Sequence, residues 1–350
     1  MFDLIRELSL LDGTSGREDR VREYIIEKIR PLGDEASFTV DALGNLTVFR
    51  KGKRPAENKV MFDAHMDEVG VIATFIEDNG LIRFTTVGGI SAAVMLGRLF
   101  KFESGVTGVS GVKPIHLLEK EEESVLPDED AYYIDIGCRS REDALKYVTP
   151  GDTAVFVSEY RELGGGRIKG KALDDRIGCA VMLDMILGGI PYDACFNFSV
   201  QEEIGLRGAG AAAYAVRPDY AIVLESTTAA DLPDTPEHKR VCELGRGAAV
   251  SFMDNRTIYN RDLFKVVFSI ANDNKIPIQT KTMVAGGNNA GSIHTAGSGV
   301  KVITLNVPCR YIHSPSCVCD SGDVSAVRQL AEKCLERFAC CAPTDVPAAD

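Results

Sequence analysis

The chain of 350 residues is short of positive charge: 39 lysines and arginines face 51 aspartates and glutamates, for a formal net charge of -12. Without clustered Lys and Arg in surplus, a broad nucleic-acid or anionic-membrane surface is excluded, although a local basic groove is not. Long apolar runs are missing too. Polar residues interrupt every hydrophobic stretch, and none approaches the roughly 18 residues that cross a bilayer. The first eleven residues mix Asp3, Arg6 and Glu7 into an apolar pattern, unlike the basic and then apolar segments of a secretory leader. No short-period repeat and no low-complexity tract is present. The ten cysteines, including adjacent Cys340 and Cys341, match no small secreted scaffold, and a chain this long needs no covalent staples. Reduced thiols in a cytoplasm are the expectation. Cys317 and Cys319 offer soft metal ligands, but no second pair completes a zinc-ribbon spacing, so they read as small buried hydrophobes.

What the chain does contain is ample apolar material, 45% hydrophobic with 26% charged, enough for one large domain or two unequal ones. Ser15 and Glu18 have the spacing of a capping box, followed by Val21, Tyr24, Ile25 and Ile29 at helical intervals up to Gly33. A hairpin is expected around Gly44-Asn45, then a buried strand from Lys59 to Ala64 that closes on His65-Met66-Asp67. From Val69 to Glu162 the texture turns to short β-rich runs, such as Val71 to Ile76 and Leu81 to Val87, parted by turn signals such as Asp78-Asn79-Gly80. Only Arg141 to Tyr147 looks helical there, and the acidic stretch Glu119 to Asp130 reads as a solvated loop. After Gly164-Gly165-Gly166 an α/β rhythm returns: a helix over Asp175 to Leu187, strands over Cys195 to Val200, Tyr220 to Leu224 and Val300 to Val307, and a final amphipathic helix from Asp323 to Phe338. The pattern predicts an α/β fold, an open mixed sheet with helices on both faces built from residues 1–68 and 164–350, with a small β domain inserted over 69–163.

Open α/β sheets bind ligands beyond the carboxyl ends of their strands. The residues found there are metal-ligand types. His65 follows one strand, Glu202-Glu203 another and Glu225 a third, His313 comes shortly after the last, and Asp174-Asp175 opens a helix. Taken alone, a lone His is more often a satisfied hydrogen-bonder and a strand-end Glu a solvated charge. Five convergent positions are harder to dismiss. Asp174, Glu203 and Glu225 supply three negative charges and two neutral imidazoles complete a mixed shell, so with a hydroxide the set balances two divalent ions. Such a shell suits Zn²⁺, Co²⁺ or Mn²⁺ better than Ca²⁺. Asp174 is the candidate bridge, since two ions about 3.5–4 Å apart can share a carboxylate and a water. One residue separates His65 from Asp67, so an extended backbone points both side chains the same way and lets the carboxylate take the second imidazole N–H. Glu202 and Glu203 are neighbours that cannot point alike. Glu203 is assigned to a metal and Glu202 to the proton.

At these residues the chain resembles the tetrahedral aminopeptidases, the group that includes glutamyl and deblocking aminopeptidases. The carrying motifs are AHMDEVG at 64–70, GKALDDRIG at 170–178, SVQEEIGLRGA at 199–209 and RYIHSP at 310–315, with GVKPIHLL at 111–118 and YIDIGCRSREDAL at 133–145 inside the insertion. The resemblance implies a metallopeptidase (phosphorylase/hydrolase-like) α/β domain and a β-barrel-like domain through which subunits pair, often twelve around a closed chamber. It places one metal with His65, Asp174 and Glu225, the other with Asp174, Glu203 and His313, Glu202 as the base beside a metal-bridging water, and a cis peptide between Asp174 and Asp175. The implied partners are peptides with a free N-terminus and further copies of the chain. Two departures bear on selectivity: Glu225 stands where many relatives carry Asp, and GGNNAG at 286–291 replaces a common Thr-Asp pair. Asn288 and Asn289 either line a pocket or form a turn. His116 and His294 read as structural hydrogen-bonders and His238 as exposed.

Two rivals remain. A glycosidase also uses paired carboxylates, but needs them on opposite sides of the scissile bond, about 5–9.5 Å apart, and has no use for the surrounding histidines. A scaffold protein that has lost turnover would not be expected to keep the whole ligand set.

Overall fold

The computed structural model describes residues 1–120 and 125–340. Cys341 and part of the Glu119–Asp130 stretch lie outside the described residues. Most strands join one large sheet, in the order Ala36–Val40, Leu46–Arg50, Ala194–Ser199, Val60–His65, Tyr220–Thr228, Lys301–Arg310, Cys317–Asp320, Arg167–Gly170 and Arg161–Leu163. Its four middle strands run parallel, and the flanking pairs are antiparallel. Val60–His65 is the earliest of the four in the chain yet lies between two later strands. The order therefore reverses beside it, and such a switch point opens a crevice at the strand ends. The middle strands are buried on both faces, which is why they read as continuous apolar runs rather than alternating ones.

Leu173–Gly188 is apolar nearly all round and almost wholly buried. It packs on the two innermost strands and under the N-terminal helices Phe2–Leu10 and Asp19–Ile29. The final helix, Ser321–Cys340, packs against the same core through Val324, Val327, Leu330, Ala331 and Phe338. The fold expected from the residues and the resemblance is present in full: a mixed sheet, helices on its faces and a separate small barrel.

That barrel closes through Gly70–Ile76, Ile82–Val87, Tyr133–Asp135, Thr107–Gly111, Leu99–Phe102 and Thr153–Phe156. Its core is its own, with Val71, Ile82, Phe84, Phe100, Phe102, Ile134 and Phe156 buried together. Phe100 and Phe156 have ring centroids 4.6 Å apart. Among the described residues of this part, α-helix is confined to two short pieces, Ala92–Met95 and Arg141–Ala144. Arg161–Leu163, which the sequence reading places at the end of the insertion, pairs instead with Arg167–Gly170 at the outer edge of the large sheet.

The capping box is a second correction. Helix Asp19–Ile29 has Glu18 at its N-cap position with no side-chain cap bond. Ser15 Oγ donates to Asp67 Oδ2 at 2.6 Å, while Glu18 Oε1 accepts the amides of Gly16 at 2.7 Å and Gln201 at 3.1 Å. Both side chains have been drawn toward a tertiary partner that no local pattern reveals.

Candidate metal centre and active site

The carboxyl ends of the parallel strands bring the distant candidates together. His65 ends its strand, Glu225 lies inside Tyr220–Thr228, Glu202 and Glu203 follow Ala194–Ser199, and His313 follows Lys301–Arg310. Asp174 joins them from the irregular first turn of Leu173–Gly188, where Asp174 and Asp175 are non-helical and the peptide between them is cis. Two groups result: His65, Asp174 and Glu225, and Asp174, Glu203 and His313, each with its ligand atoms within 4.8 Å of one another. Asp174 belongs to both. Its Oδ1 is 3.4 Å from His65 Nε2, and its Oδ2 is 3.4 Å from His313 Nε2. Glu225 Oε1 is 3.6 Å from His65 Nε2 and Glu203 Oε2 is 3.3 Å from His313 Nε2.

Each imidazole is aimed from behind. His65 Nδ1 lies 3.0 Å from the backbone oxygen of Asp67, closer than the Asp67 carboxylate at 3.4 Å. The carboxylate was expected to be the main partner of this ring. Instead its closer bonds go elsewhere: to Ser15 Oγ, and to the amides of Glu202 at 3.0 Å and Glu203 at 3.1 Å. His313 Nδ1 lies 2.8 Å from the carbonyl oxygen of Gly89, on the segment that leads out of the barrel strand Ile82–Val87. The nitrogens that face the shared carboxylate are thereby left for coordination.

The donor set of each group is one that could hold a metal ion. Asp174 Oδ1 and Glu225 Oε2 are buried and accept no hydrogen bond, although burial of a carboxylate oxygen without a donor is costly. Burial raises the carboxyl groups of Glu203 to about 8 and Glu225 to about 7, and Glu202 and Asp175 are also pushed well up, burial again first and Glu225 adding to it. Burial works against protonation of His313, but Asp174 and Glu203 beside it outweigh this and raise it to about 10. Asp174 shows the opposite balance: burial disfavours its charge, but the two imidazoles hold it low. Divalent cations held by these groups would take the place of those protons. Cys317 and Cys319 are buried thiols and join neither ligand group among the described residues.

A cavity of about 380 Å³ opens over these residues, lined also by Glu202, Arg256, Lys281, Asn288 and the loop Ala285–Gly287. Glu202 is buried and faces this cavity, yet stands outside both ligand groups. A match to the M42 glutamyl aminopeptidase family model extends over residues 44–330. The chain belongs to the M42 glutamyl aminopeptidase family. It is accordingly an aminopeptidase, a peptide hydrolase. A protein of Acetivibrio thermocellus, whose name marks it as a candidate aminopeptidase, is 40% identical over 335 residues, covering 95% of this chain and 98% of its own. The crystal structure of a TET aminopeptidase from the marine sediment archaeon Thaumarchaeota archaeon SCGC AB-539-E09 superposes with a TM-score of 0.91 at 32% identity, over 96% of each chain. The Pyrococcus horikoshii TET1 peptidase, described as able to assemble into a tetrahedron or a large octahedral shell, gives a TM-score of 0.83 at 35% identity, over 95% of this chain and 98% of its own.

Further residues complete the surroundings of the site. Asn289 lies below the pocket floor, where its Nδ2 donates to Asp63 Oδ2 and Ser199 Oγ, both at 2.8 Å. Asn288 lines the cavity and accepts the amide of Ala290 at 2.9 Å. Asp175 Oδ1 accepts the amide of Gly178 at 3.0 Å, and a Cβ at Gly178 would meet this carboxylate at 2.5 Å, which accounts for the glycine. Arg176, fully buried, donates to the carbonyl oxygens of Met66, Leu8 and Leu11 and so braces the strand end beside His65. Lys281 and Arg256 carried no sequence signal, each being a single cation in a loop or edge strand. His294 bonds its own helix at Ala290, and His116 and His238 are exposed.

Proposed function

We propose that this aminopeptidase works with two divalent ions, Zn²⁺ or Co²⁺ first and Mn²⁺ next, held by His65, Asp174, Glu203, Glu225 and His313. The observation that carries this is the carboxylate of Asp174, which turns one oxygen to each of two ligand groups. When bound, two such ions acidify a water and offset the charge that develops on the scissile carbonyl oxygen. Glu202, outside both groups and facing the cavity, takes the water's proton on its carboxylate and returns it to the departing amine nitrogen. Asp67 acts from behind, fixing the backbone of Glu202 and Glu203 and standing beside His65. The glycosidase reading has no role for the two histidines that close these groups.

The same cavity supports an acidic first residue in the substrate. Lys281 is 6% exposed, its Nζ makes a hydrogen bond of 3.3 Å to the carbonyl oxygen of Ala285, and it lines the cavity with Arg256. Burial lowers its affinity for a proton, while Asp254, Glu225 and Asp174 act to restore it. Asp254 is already committed to the amides of Arg256 and Thr257 and to Tyr259 Oη. With Glu225 and Asp174 neutralised by cations, Lys281 and Arg256 are left to attract a carboxylate.

The barrel is the dimerisation domain in this reading, because it exposes Leu99, Val109, Ile115 and Leu117, none of which lines the cavity. A closed assembly of twelve copies in the cytoplasm follows the family pattern. No helix among the described residues is long and apolar enough to cross a membrane. The decisive experiment is a panel of Glu, Asp, Leu and Lys anilides run before and after chelation. Activity should vanish with the metal and return with Zn²⁺ or Co²⁺, with Glu and Asp substrates ahead. Full activity after verified metal removal would end the two-metal reading, and a Leu or Lys preference would end the acidic one.

A further inference from the structure

The turn that carries Glu202 and Glu203 has an unusual support. Its three successive amides all donate to carboxylate oxygens from other parts of the chain. Gln201 N donates to Glu18 Oε1 at 3.1 Å, Glu202 N to Asp67 Oδ1 at 3.0 Å, and Glu203 N to Asp67 Oδ2 at 3.1 Å. The following turn uses the carbonyls instead, with Gly205 and Leu206 donating to the oxygen of Glu202 and Arg207 to that of Gln201. Gln201 itself has φ of 58°, a left-handed conformation that a non-glycine residue rarely adopts unless its surroundings impose it.

Both supporting carboxylates are held by the loop before the second helix. Ser15 Oγ donates to Asp67 Oδ2 at 2.6 Å, and Gly16 N donates to the same Glu18 oxygen that accepts Gln201. Glu18 is 3% exposed and Asp67 fully buried, so water has little access to replace either set of bonds. The loop is itself moored: the amide of Glu68 donates to Gly13 O at 2.9 Å, and Arg17 reaches Glu103 of the barrel at 3.3 Å.

We infer that Ser15 and Glu18 are positioning residues for the hydrolytic step. They act through Asp67 and Gln201 to aim the Glu202 carboxylate toward the cavity while Glu203 turns toward His313. This rests on the assignment of Glu202 as the base. Two adjacent residues can hold different jobs only if the peptide between them is fixed, and the loop at 13–18 supplies half of that fixing. Neither side chain lines the cavity, so their loss should leave substrate affinity alone and slow the turnover of bound substrate.

The test uses the full-length, metal-loaded enzyme with an aminoacyl anilide. Ser15→Ala should lower kcat by about 10-fold, as expected for a buried hydrogen bond to a charged group, with KM and metal content little changed. Ser15→Thr, which keeps the hydroxyl, should recover most of the loss. Glu18→Ala should lower kcat further, and Glu18→Gln, whose amide oxygen can still accept both N–H groups, should recover part of it. A kcat for Ser15→Ala equal to wild type, or a loss explained wholly by lower metal content or a smaller folded fraction, overturns the inference. If Glu18→Ala fails to fold, the Ser15 pair decides alone. A wild-type enzyme that cleaves no anilide with any metal would strike the functional reading itself, which separates the two failures.

Discussion

The barrel and the large sheet are both well packed, but they differ in what they bury. Between residues 70 and 160 no Asp, Glu, Lys, Arg or His among the described residues is buried, and the core is a set of phenylalanines and branched aliphatics. The large sheet and its helices bury Glu18, Asp63, His65, Asp67, Glu68, Lys171, Asp174, Asp175, Arg176, Glu202, Glu225, Lys281 and Asp323. Buried charge is expensive and seldom improves stability over a well-packed apolar alternative. Its concentration in one part of the molecule marks where stability gives way to chemistry. The charges form continuous chains: Lys171 Nζ meets Glu68 Oε1 at 2.5 Å, and Arg176 lies 3.6 Å from the same oxygen.

The sharpest way to break this contrast is inside the charged part. Glu202→Gln keeps shape but not basicity, so kcat should fall by about 10²–10⁴-fold while both metals stay bound. Glu203→Gln should instead weaken one metal and be partly rescued by excess ion. Elemental analysis beside kinetics checks both, and a metal lost from Glu202→Gln with Glu203→Gln fully loaded and dead would exchange the two roles. The neutral part should answer to volume rather than charge. Phe100→Ala removes a buried ring packed against Phe84 and Phe156 and should cost about 3–5 kcal/mol, read as a lower melting temperature. Light scattering on the same variant should show a smaller assembly, if the barrel is the pairing surface.

The smallest effect expected is on the pH response. Asp323 accepts the amides of Gly247 at 2.6 Å and Gly245 at 2.7 Å, yet burial raises its carboxyl to about 6. A folded value above the unfolded one means that the folded state binds the proton more tightly. This contribution is therefore full at low pH and is lost as pH rises through about 6. Asp323→Asn should flatten the fall in melting temperature between about pH 4 and 6, whereas barrel variants such as Phe100→Ala should leave its slope unchanged. A slope identical in wild type and Asp323→Asn would remove Asp323 from the account.

Local pattern carried the fold a long way. Apolar runs with charged termini pointed to the parallel strands, and the loss of helical periodicity after Val69 to a separate β domain, whose closure into a barrel came only from the resemblance. Strand ends also pointed to His65, Glu203, Glu225 and His313, because the crevice of an open sheet is a property of topology. Contacts between distant segments were less visible. The spacing of Ser15 and Glu18 satisfies a local rule and a tertiary use equally well, and only the position of Asp67 decides between them. Lys281 had no neighbour in sequence to distinguish it from any surface lysine, and its burial depends on how Ile278–Lys281 pairs with Ala248–Ser251. Asn289 sits in a turn, one of the two readings its sequence allowed, but its partners Asp63 and Ser199 come from two other strands and were out of reach of local pattern.

The hydrogen bond between Gly89 and His313 bears on how such enzymes can be recombined. His313, a proposed ligand from the last third of the chain, takes its ring orientation from a backbone carbonyl at the rim of the insertion, and a Cβ at Gly89 would come within 3.4 Å of that ring. The barrel is thus no free cassette. A chimera that grafts another relative's barrel onto this sheet must bring a matching carbonyl and an equally small residue. Lineages that exchange the two parts would inherit a displaced His313 before they inherited new assemblies.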